Sequence, residues 1–191
     1  FIVSTNLFSQ CSITQENIHA AVDVWLEDSV STETIFGHMS EWDVSGIIDM
    51  SDMFKNAINF NVDISSWNVS NVTNMYGMFE GATIFNGNIS SWDVSNVTNM
   101  TYMLRASSFN GDLSSWDVSS VIGIGGMFLD ATSFNGDLSN WEVSSVTDMS
   151  YMFQGANSFN GDLSSWDVSN VFNMDNVFAQ ASSFNGDISS W

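Results

Sequence analysis

The chain has 191 residues, 44% of them hydrophobic, and its 22 acidic residues against two basic ones give a net charge of -20. So acidic a surface repels phosphate backbones and anionic membranes, which argues against nucleic-acid and lipid-surface binding. The 8 Trp, 15 Phe and 11 Met argue against disorder; no apolar segment reaches the roughly 20 residues of a membrane span, and the single cysteine, Cys11, allows no internal disulfide.

Residues 1–37 differ from the rest of the chain and form an N-terminal segment. Within it, residues 14–27 predict an amphipathic helix with Thr14 as its N-cap. The apolar face of this helix consists of Ile18, Ala21, Val22, Trp25 and Leu26. Such a helix would cover the exposed side of the first repeat, which is the role of a terminal cap in repeat proteins.

Residues 38–191 consist of about six repeats of 25 residues, each marked by a tryptophan. These are Trp42, Trp67, Trp92, Trp116, Trp141, Trp166 and Trp191, and only the interval from Trp92 to Trp116 is one residue short. The missing residue is expected near positions 104–106. Because the sequence stops at Trp191, within a seventh repeat, we expect the array to be truncated there.

Apolar residues recur at fixed positions in every repeat, as Trp92, Val94, Val97, Met100 and Met103 illustrate. The step of two from Trp to Val predicts a short strand. The following steps of three predict a helical turn, and the sequence Asn-Gly-Asp predicts the loop that returns to the next strand. The expected fold is therefore an α/β repeat solenoid of the leucine-rich-repeat type, with one short parallel strand plus a helical turn per repeat and an N-terminal helical cap.

The repeat motif is also similar to a known family. The order Leu-x-x-Trp-x-Val-x-x-Val follows the apolar frame of leucine-rich repeats. Residues 92–100 (Trp-Asp-Val-Ser-Asn-Val-Thr-Asn-Met) and 108–116 (Ser-Phe-Asn-Gly-Asp-Leu-Ser-Ser-Trp) resemble repeats of BspA-like surface proteins, a domain of unknown function. The resemblance covers residues 38–191. It implies a secreted or cell-surface microbial protein with an adhesion or interaction role, and it implies no catalytic residues.

The residues that could support catalysis are few. The only histidines are His19 and His38, and Cys11 lies outside the repeats. A nucleophile and a base would have to converge with a third, orienting group, and nothing in the spacing indicates that. We therefore expect no enzymatic activity and no cofactor, and a structural role for His38, which occupies the position of Asp63 in the next repeat.

Two columns of mostly acidic residues run along the repeats. The Trp-adjacent column is Asp43, Asn68, Asp93, Asp117, Glu142 and Asp167, and the loop column is Asp63, Asn88, Asp112, Asp137, Asp162 and Asp187. One interpretation is local: each carboxylate of the loop column accepts hydrogen bonds from backbone N–H groups or serine hydroxyls and holds the turn. The alternative is cation binding, with Asp93, Asp117, Glu142 and Asp167 as weak Ca²⁺ candidates. No established calcium-loop motif occurs in the chain.

Asparagine has two further roles to consider. An asparagine follows a phenylalanine in every repeat, and this column predicts amide hydrogen bonds from one repeat to the next. The column is Asn61, Asn86, Asn110, Asn135, Asn160 and Asn185. Separately, five Asn-x-Ser/Thr sequences are candidate glycosylation acceptors in a eukaryotic secretory protein, namely Asn68, Asn71, Asn88, Asn96 and Asn99.

The function expected from these features is a non-enzymatic extracellular or cell-surface scaffold for adhesion or for assembly of surface structures. Its partners would be a protein or glycan on another surface, or further copies in a larger complex. One alternative is a recognition module that binds a protein or glycan on its sheet face. Another is a protein that binds an ordered lattice or mineral through its acidic columns.

Overall fold

The computed structural model describes residues 11–191. Helix α1 spans Ile18–Glu27, helix α2 spans Ser29–Phe36, and a single 3₁₀ turn spans Met39–Glu41. From Trp42 onward the chain forms a stack of coils made of turns. We number the repeats from their tryptophans, so that the first covers residues 42–66, the second 67–91, the third 92–115 and the fourth 116–140.

The prediction of an α/β leucine-rich-repeat solenoid is wrong. Within residues 11–191 the repeats contain neither a strand nor an α-helix. Neighbouring coils are joined at one position by isolated parallel bridges, such as Asp49 to Asn74 and Asn74 to Asn99. The expected sheet face is therefore absent from the described part of the chain.

Tight turns explain the apolar steps of three that suggested a helical face. The Val72 N–H donates to the Val69 carbonyl at 2.8 Å, and the Phe85 N–H donates to the Ala82 carbonyl at 2.9 Å. All four residues are buried. Because buried apolar residues form both ends of each turn, the sequence shows a spacing of three without a continuous helix.

Backbone hydrogen bonds join each coil to the next along one edge of the stack. In the second repeat the donors are Met75, Gly77, Phe79 and Gly81, and the acceptors are the carbonyls of Asn99, Thr101, Met103 and Arg105. Gly77 and Gly81 have φ values of 58° and 70°. Two left-handed residues, four positions apart, interrupt the extended conformation in each repeat, so this edge is hydrogen-bonded like a sheet but contains no strand.

The core is a set of aligned side chains, and most residues of the predicted apolar columns are buried; near the end of the array Val171 and Met174 are partly buried and Ile188 is exposed. The rings of Trp116 and Trp141 stack with centroids 6.5 Å apart, and those of Trp141 and Trp166 stack at 6.4 Å. From Trp67 onward, each indole N–H donates to the carbonyl three positions before the preceding tryptophan, as Trp116 Nε1 does to Ile89 at 3.1 Å. The tryptophans therefore combine apolar packing with a satisfied polar group.

The asparagine column also connects successive coils. The side-chain oxygen of Asn110 accepts from the backbone N–H of Asn135 at 2.8 Å, and Asn135 accepts from Asn160 at 2.9 Å. The bond predicted between side-chain amides is thus a bond from a backbone N–H to a side-chain oxygen.

The missing residue of the third repeat lies later than its sequence suggests. Ala106 has a φ of 52° and occupies the left-handed position of Gly81. Ser107 is buried where the second repeat has Ala82, and its hydroxyl donates to the Leu104 carbonyl at 2.7 Å. The third repeat is therefore shortened between Ser107 and Phe109.

Helix α1 lies against the first repeat, with Ile18, Ala21 and Val22 buried. The predicted N-cap is wrong: the helix begins at Ile18, and the Thr14 carbonyl accepts from the Ile18 N–H at 3.0 Å. Just before the helix, Gln15 Oε1 accepts from the backbone N–H groups of Ile48 and Asp49 at 2.8 and 2.9 Å. Gln15 Nε2 donates to the Asp49 carbonyl at 3.0 Å.

These contacts imitate those that a preceding repeat would make. Thr73 occupies, in the second repeat, the position that Ile48 has in the first. Its backbone N–H donates to the Ile48 carbonyl of the repeat before it. His19 Nε2 lies 2.8 Å from the Ser51 carbonyl, where a repeat would place a backbone N–H. Gln15 and His19 therefore satisfy backbone groups at the first coil that would otherwise be unpaired.

Helix α2 was not predicted from the sequence. Its N-cap, Asp28, accepts from the Ser31 N–H at 3.1 Å and from the Ser31 hydroxyl at 2.5 Å. An Asp that precedes a helix and bonds the third residue after it is a common N-cap arrangement, and it is the signal that would have located α2.

We expect Gly126→Ala to lower the free energy of unfolding by about 1–3 kcal/mol. Gly126 has a φ of 59°, and an added Cβ would overlap the ring of Tyr102 in the preceding repeat. Gly46→Ala is the matched control, because nothing lies within 4 Å of a Cβ built there. Urea denaturation of both variants tests this, and equal midpoints would contradict it.

Candidate functional surfaces

The Trp-adjacent column forms a row of side-chain turns on the surface. Asp43 Oδ1 accepts from the Ser45 N–H at 3.0 Å and from the Ser45 hydroxyl at 2.6 Å. Asp117 makes the same pair of bonds with Ser119 at 3.0 and 2.6 Å. These are Asx turns, in which a short polar side chain replaces a backbone acceptor. Local hydrogen bonds therefore account for the geometry of the Asp and Asn residues of this column.

The loop column forms a second row of Asx turns. Asp112 accepts from the Ser114 N–H at 2.9 Å, and Asp162 accepts from Ser164 at 3.0 Å. His38 occupies the same position before Trp42, and its Nδ1 lies 2.7 Å from the Ser40 hydroxyl. The imidazole thus takes the place of the later carboxylates.

A third row was not recognised in the sequence. Asp49 accepts from the Ser51 N–H and Asp148 accepts from the Ser150 N–H, both at 2.8 Å. Asn99 accepts from the Thr101 N–H at 3.1 Å. The signal is an Asp or Asn seven residues after each of the first six repeat tryptophans, except at Gly123. It is weak because three of these five residues are asparagines.

These hydrogen bonds stabilise the charged form of the carboxylates. Bonds from the Ser45 hydroxyl and N–H lower the pKa of Asp43, and Ser119 and Ser169 lower those of Asp117 and Asp167 in the same way. In the loop column, bonds from Ser139 lower the pKa of Asp137, although Asp112 and Asp162 act to raise it. Local hydrogen bonding therefore outweighs repulsion between neighbouring carboxylates.

We expect the melting temperature to fall as the pH drops below about 4. In the folded state these carboxyls have a pKa below the ordinary value of 3.8. Their charged form therefore stabilises the fold fully at a pH above 3.8, and this stabilisation is lost as the pH falls through the folded pKa. Thermal melts between pH 7 and pH 2 test this.

The control variant removes the negative charges of three carboxylates but keeps their Asx turns. The combined substitutions Asp43→Asn, Asp117→Asn and Asp167→Asn should reduce the acid sensitivity, because Asn68 already forms the same turn with Ser70. A melting temperature that rises on acidification would show that repulsion at a net charge of -20 dominates instead.

The four calcium candidates lie at one position of successive repeats. Asp93, Asp117 and Asp167 each use Oδ1 in an Asx turn. Within residues 11–191, no group of three or more His, Cys, Asp or Glu side chains converges as a metal site would require. Calcium binding by Asp93, Asp117, Glu142 and Asp167 stays a prediction from the sequence.

The glycosylation candidates differ in the use of their amide nitrogen, to which a glycan would be attached. Asn71 Nδ2 donates to the Ser45 carbonyl and Asn96 Nδ2 to the Ser70 carbonyl, both at 2.8 Å. Asn68, Asn88 and Asn99 use their side-chain oxygen in Asx turns. A glycan at Asn71 or Asn96 would perturb a bond between repeats, whereas Asn68 and Asn88 are exposed and use only their oxygens.

The only two basic residues of the chain meet at one glutamate. Glu80 accepts from Arg105 Nη1 at 2.6 Å and lies 3.0 Å from Lys55 Nζ, and its side chain is 13% exposed. Lys55 lies over the Tyr76 ring, and Arg105 lies over the Tyr102 ring. This cation–tyrosine edge connects the first three repeats.

We expect Glu80→Gln to lower the free energy of unfolding by about 1 kcal/mol, because it leaves two partly exposed cations without their shared carboxylate. The loss should shrink as salt is added. Glu142→Gln is the control, since Glu142 is exposed and makes no ion pair with any residue of the described range. Equal effects of the two substitutions in urea titrations would contradict the prediction.

None of the helices found in residues 11–191 is long and apolar enough to cross a membrane. The protein is a repeat protein: its stacked coils are made of tight turns, its surface carries rows of acidic Asx turns, and a helical segment precedes the first coil. The chain belongs to the family described as Mycoplasma protein of unknown function, DUF285, which matches residues 24–135 and 106–191. Comparison with curated proteins gave no match, and neither did comparison with solved structures.

Proposed function

We propose that this protein is a non-enzymatic extracellular or cell-surface scaffold, of the kind that the BspA-like resemblance implies, for adhesion or for assembly of surface structures. The observation that carries the proposal is the uniformity of the outward surface. Most repeats present an Asx turn at each of three positions, closed by a serine in most cases. A surface that repeats along a stack suits a periodic or multivalent partner.

The histidines support a non-enzymatic role. His19 contacts the Ser51 carbonyl at the first coil, and His38 contacts Ser40 in a turn. Cys11 is exposed. Each of the two imidazoles thus has a structural partner.

Labelling of intact cells tests the location. Antibodies raised against residues 11–191 should label intact cells of the source organism, and mild protease treatment should remove the label. If the protein is an adhesin, beads coated with it should bind to those cells. If the protein assembles with itself, the coated beads should bind to each other. Labelling that requires permeabilised cells would contradict the proposal.

The cation–tyrosine edge favours a second candidate function, recognition of a specific protein or glycan. Tyr76, Tyr102 and both basic residues of the chain lie along this edge, and Tyr151, two repeats further on, is exposed at the position equivalent to Tyr102. Tyrosine and arginine are enriched where proteins bind partners. Loss of cell binding after Tyr151→Ala, with retention after Asp117→Asn, would favour recognition over a uniform scaffold.

A further inference from the structure

A cleft of about 450 Å³ separates the end of α1 from the first repeat. Trp25 and Leu26 line one side, and Ile58, Phe60 and Val62 line the other. The volume lies in the range of small-molecule sites, which combine apolar walls with a few directional polar groups. We propose that this cleft binds a neutral saccharide. The inference is independent of the proposed scaffold function.

The polar residues of the cleft suit hydroxyl groups. Glu27, Asn56 and Asn59 line it together with Ser29. The side chains of Glu27 and Asn59 make no hydrogen bond to any residue in the described range, so their donors and acceptors remain available. Carboxylate and amide groups together can both accept from and donate to sugar hydroxyls, while the apolar wall faces the C–H groups of the ring.

Trp25 supplies an independent observation. Its indole N–H is buried and has no acceptor among the described residues. The ring contacts Phe60 edge-on, with centroids 6.5 Å apart. Because this N–H is buried while the residue as a whole is partly exposed, a sugar would contact the exposed part of the ring, which makes Trp25 a probe of the cleft.

The charge distribution favours a neutral ligand. Lys55 lines the cleft, but its ammonium group already pairs with Asp52 at 3.2 Å and Glu80 at 3.0 Å. Glu27 adds a negative charge, and the whole chain carries -20. Anionic ligands are therefore repelled, whereas an uncharged polyol is not.

The test is a titration with named sugars followed by matched variants. Glucose, galactose, mannose, N-acetylglucosamine and their β-linked disaccharides are added to ¹⁵N-labelled protein, and the indole resonances are recorded, with that of Trp25 assigned from Trp25→Phe. We expect at least one sugar to shift the Trp25 resonance. Ile58→Asp and Asn59→Ala should weaken its binding at least tenfold.

Ile84→Asp is the matched control. Ile84 is 49% exposed and Ile58 57% exposed, on the same edge of adjacent repeats, but Ile84 does not line the cleft. The proposal predicts unchanged sugar binding by Ile84→Asp. It is overturned if no sugar shifts the Trp25 resonance, if both Asp variants weaken binding equally, or if only an apolar anion such as hexanoate binds.

Discussion

Trp116→Ala is expected to lower the free energy of unfolding by about 3–5 kcal/mol. The substitution removes a buried ring from the middle of the stack, its stacking on Trp141, and the hydrogen bond from Nε1 to the Ile89 carbonyl. The Ile89 carbonyl would keep one donor, the backbone N–H of Trp92 at 3.2 Å. Urea denaturation followed by far-ultraviolet circular dichroism measures the loss.

Two variants separate packing from the hydrogen bond. Trp116→Phe retains an aromatic ring but loses the N–H, so its effect should be smaller than that of alanine. Ser115→Ala removes only the exposed hydroxyl that donates to the Ser90 carbonyl at 3.0 Å, and it should cost less than about 1 kcal/mol. An alanine effect no larger than that of Ser115→Ala would show that the tryptophan stack contributes little.

Removal of residues 1–36 is expected to cause aggregation or loss of the folded state. Without this segment, the Trp42 ring loses its contact with Phe36, and the backbone groups of Ile48 and Asp49 lose their Gln15 partner. Repeat proteins generally need terminal units that shield their core. Light scattering and thermal melts of the truncated chain measure the outcome.

A point substitution tests whether specific contacts of the N-terminal segment stabilise the first coil, without shortening the chain. Gln15→Ala removes three hydrogen bonds to the first coil and should lower stability by about 1–3 kcal/mol. Glu16→Ala, at an exposed neighbouring position, should have little effect. A truncated chain that stays monomeric with an unchanged melting temperature would show that the N-terminal segment does not protect the first coil.

The sequence predicted the long-range order of this protein better than its local conformation. The tryptophan interval and the apolar columns identify which residues stack, because only aligned coils bury them all. The same pattern is ambiguous locally, since steps of three arise from helices and from successive tight turns. Left-handed residues would have decided between them, but Tyr102 and Asp130 adopt positive φ at positions that carry glycine in other repeats.

The candidate surfaces were predicted in part. Asp followed two residues later by Ser is a local signal, and it suggested backbone hydrogen bonding for loop-column carboxylates such as Asp112 and Asp162, with cation binding as the alternative. The contacts of Gln15 with Ile48 and Asp49 join residues more than 30 positions apart, so no local pattern reveals them. The cleft beside Trp25 likewise depends on how α1 meets the first repeat.

The bonds between coils also determine how the protein responds to tension. Backbone groups such as Met75 and Gly77 donate to the following coil, whereas the indole of Trp116 donates to the preceding one. A force that peels the chain from one end therefore breaks the whole set of bonds at one junction before it reaches the next. Each rupture would release about 25 residues, or roughly 85 Å of extended chain. A tethered molecule would thus lengthen in equal steps under load and dissipate energy one coil at a time.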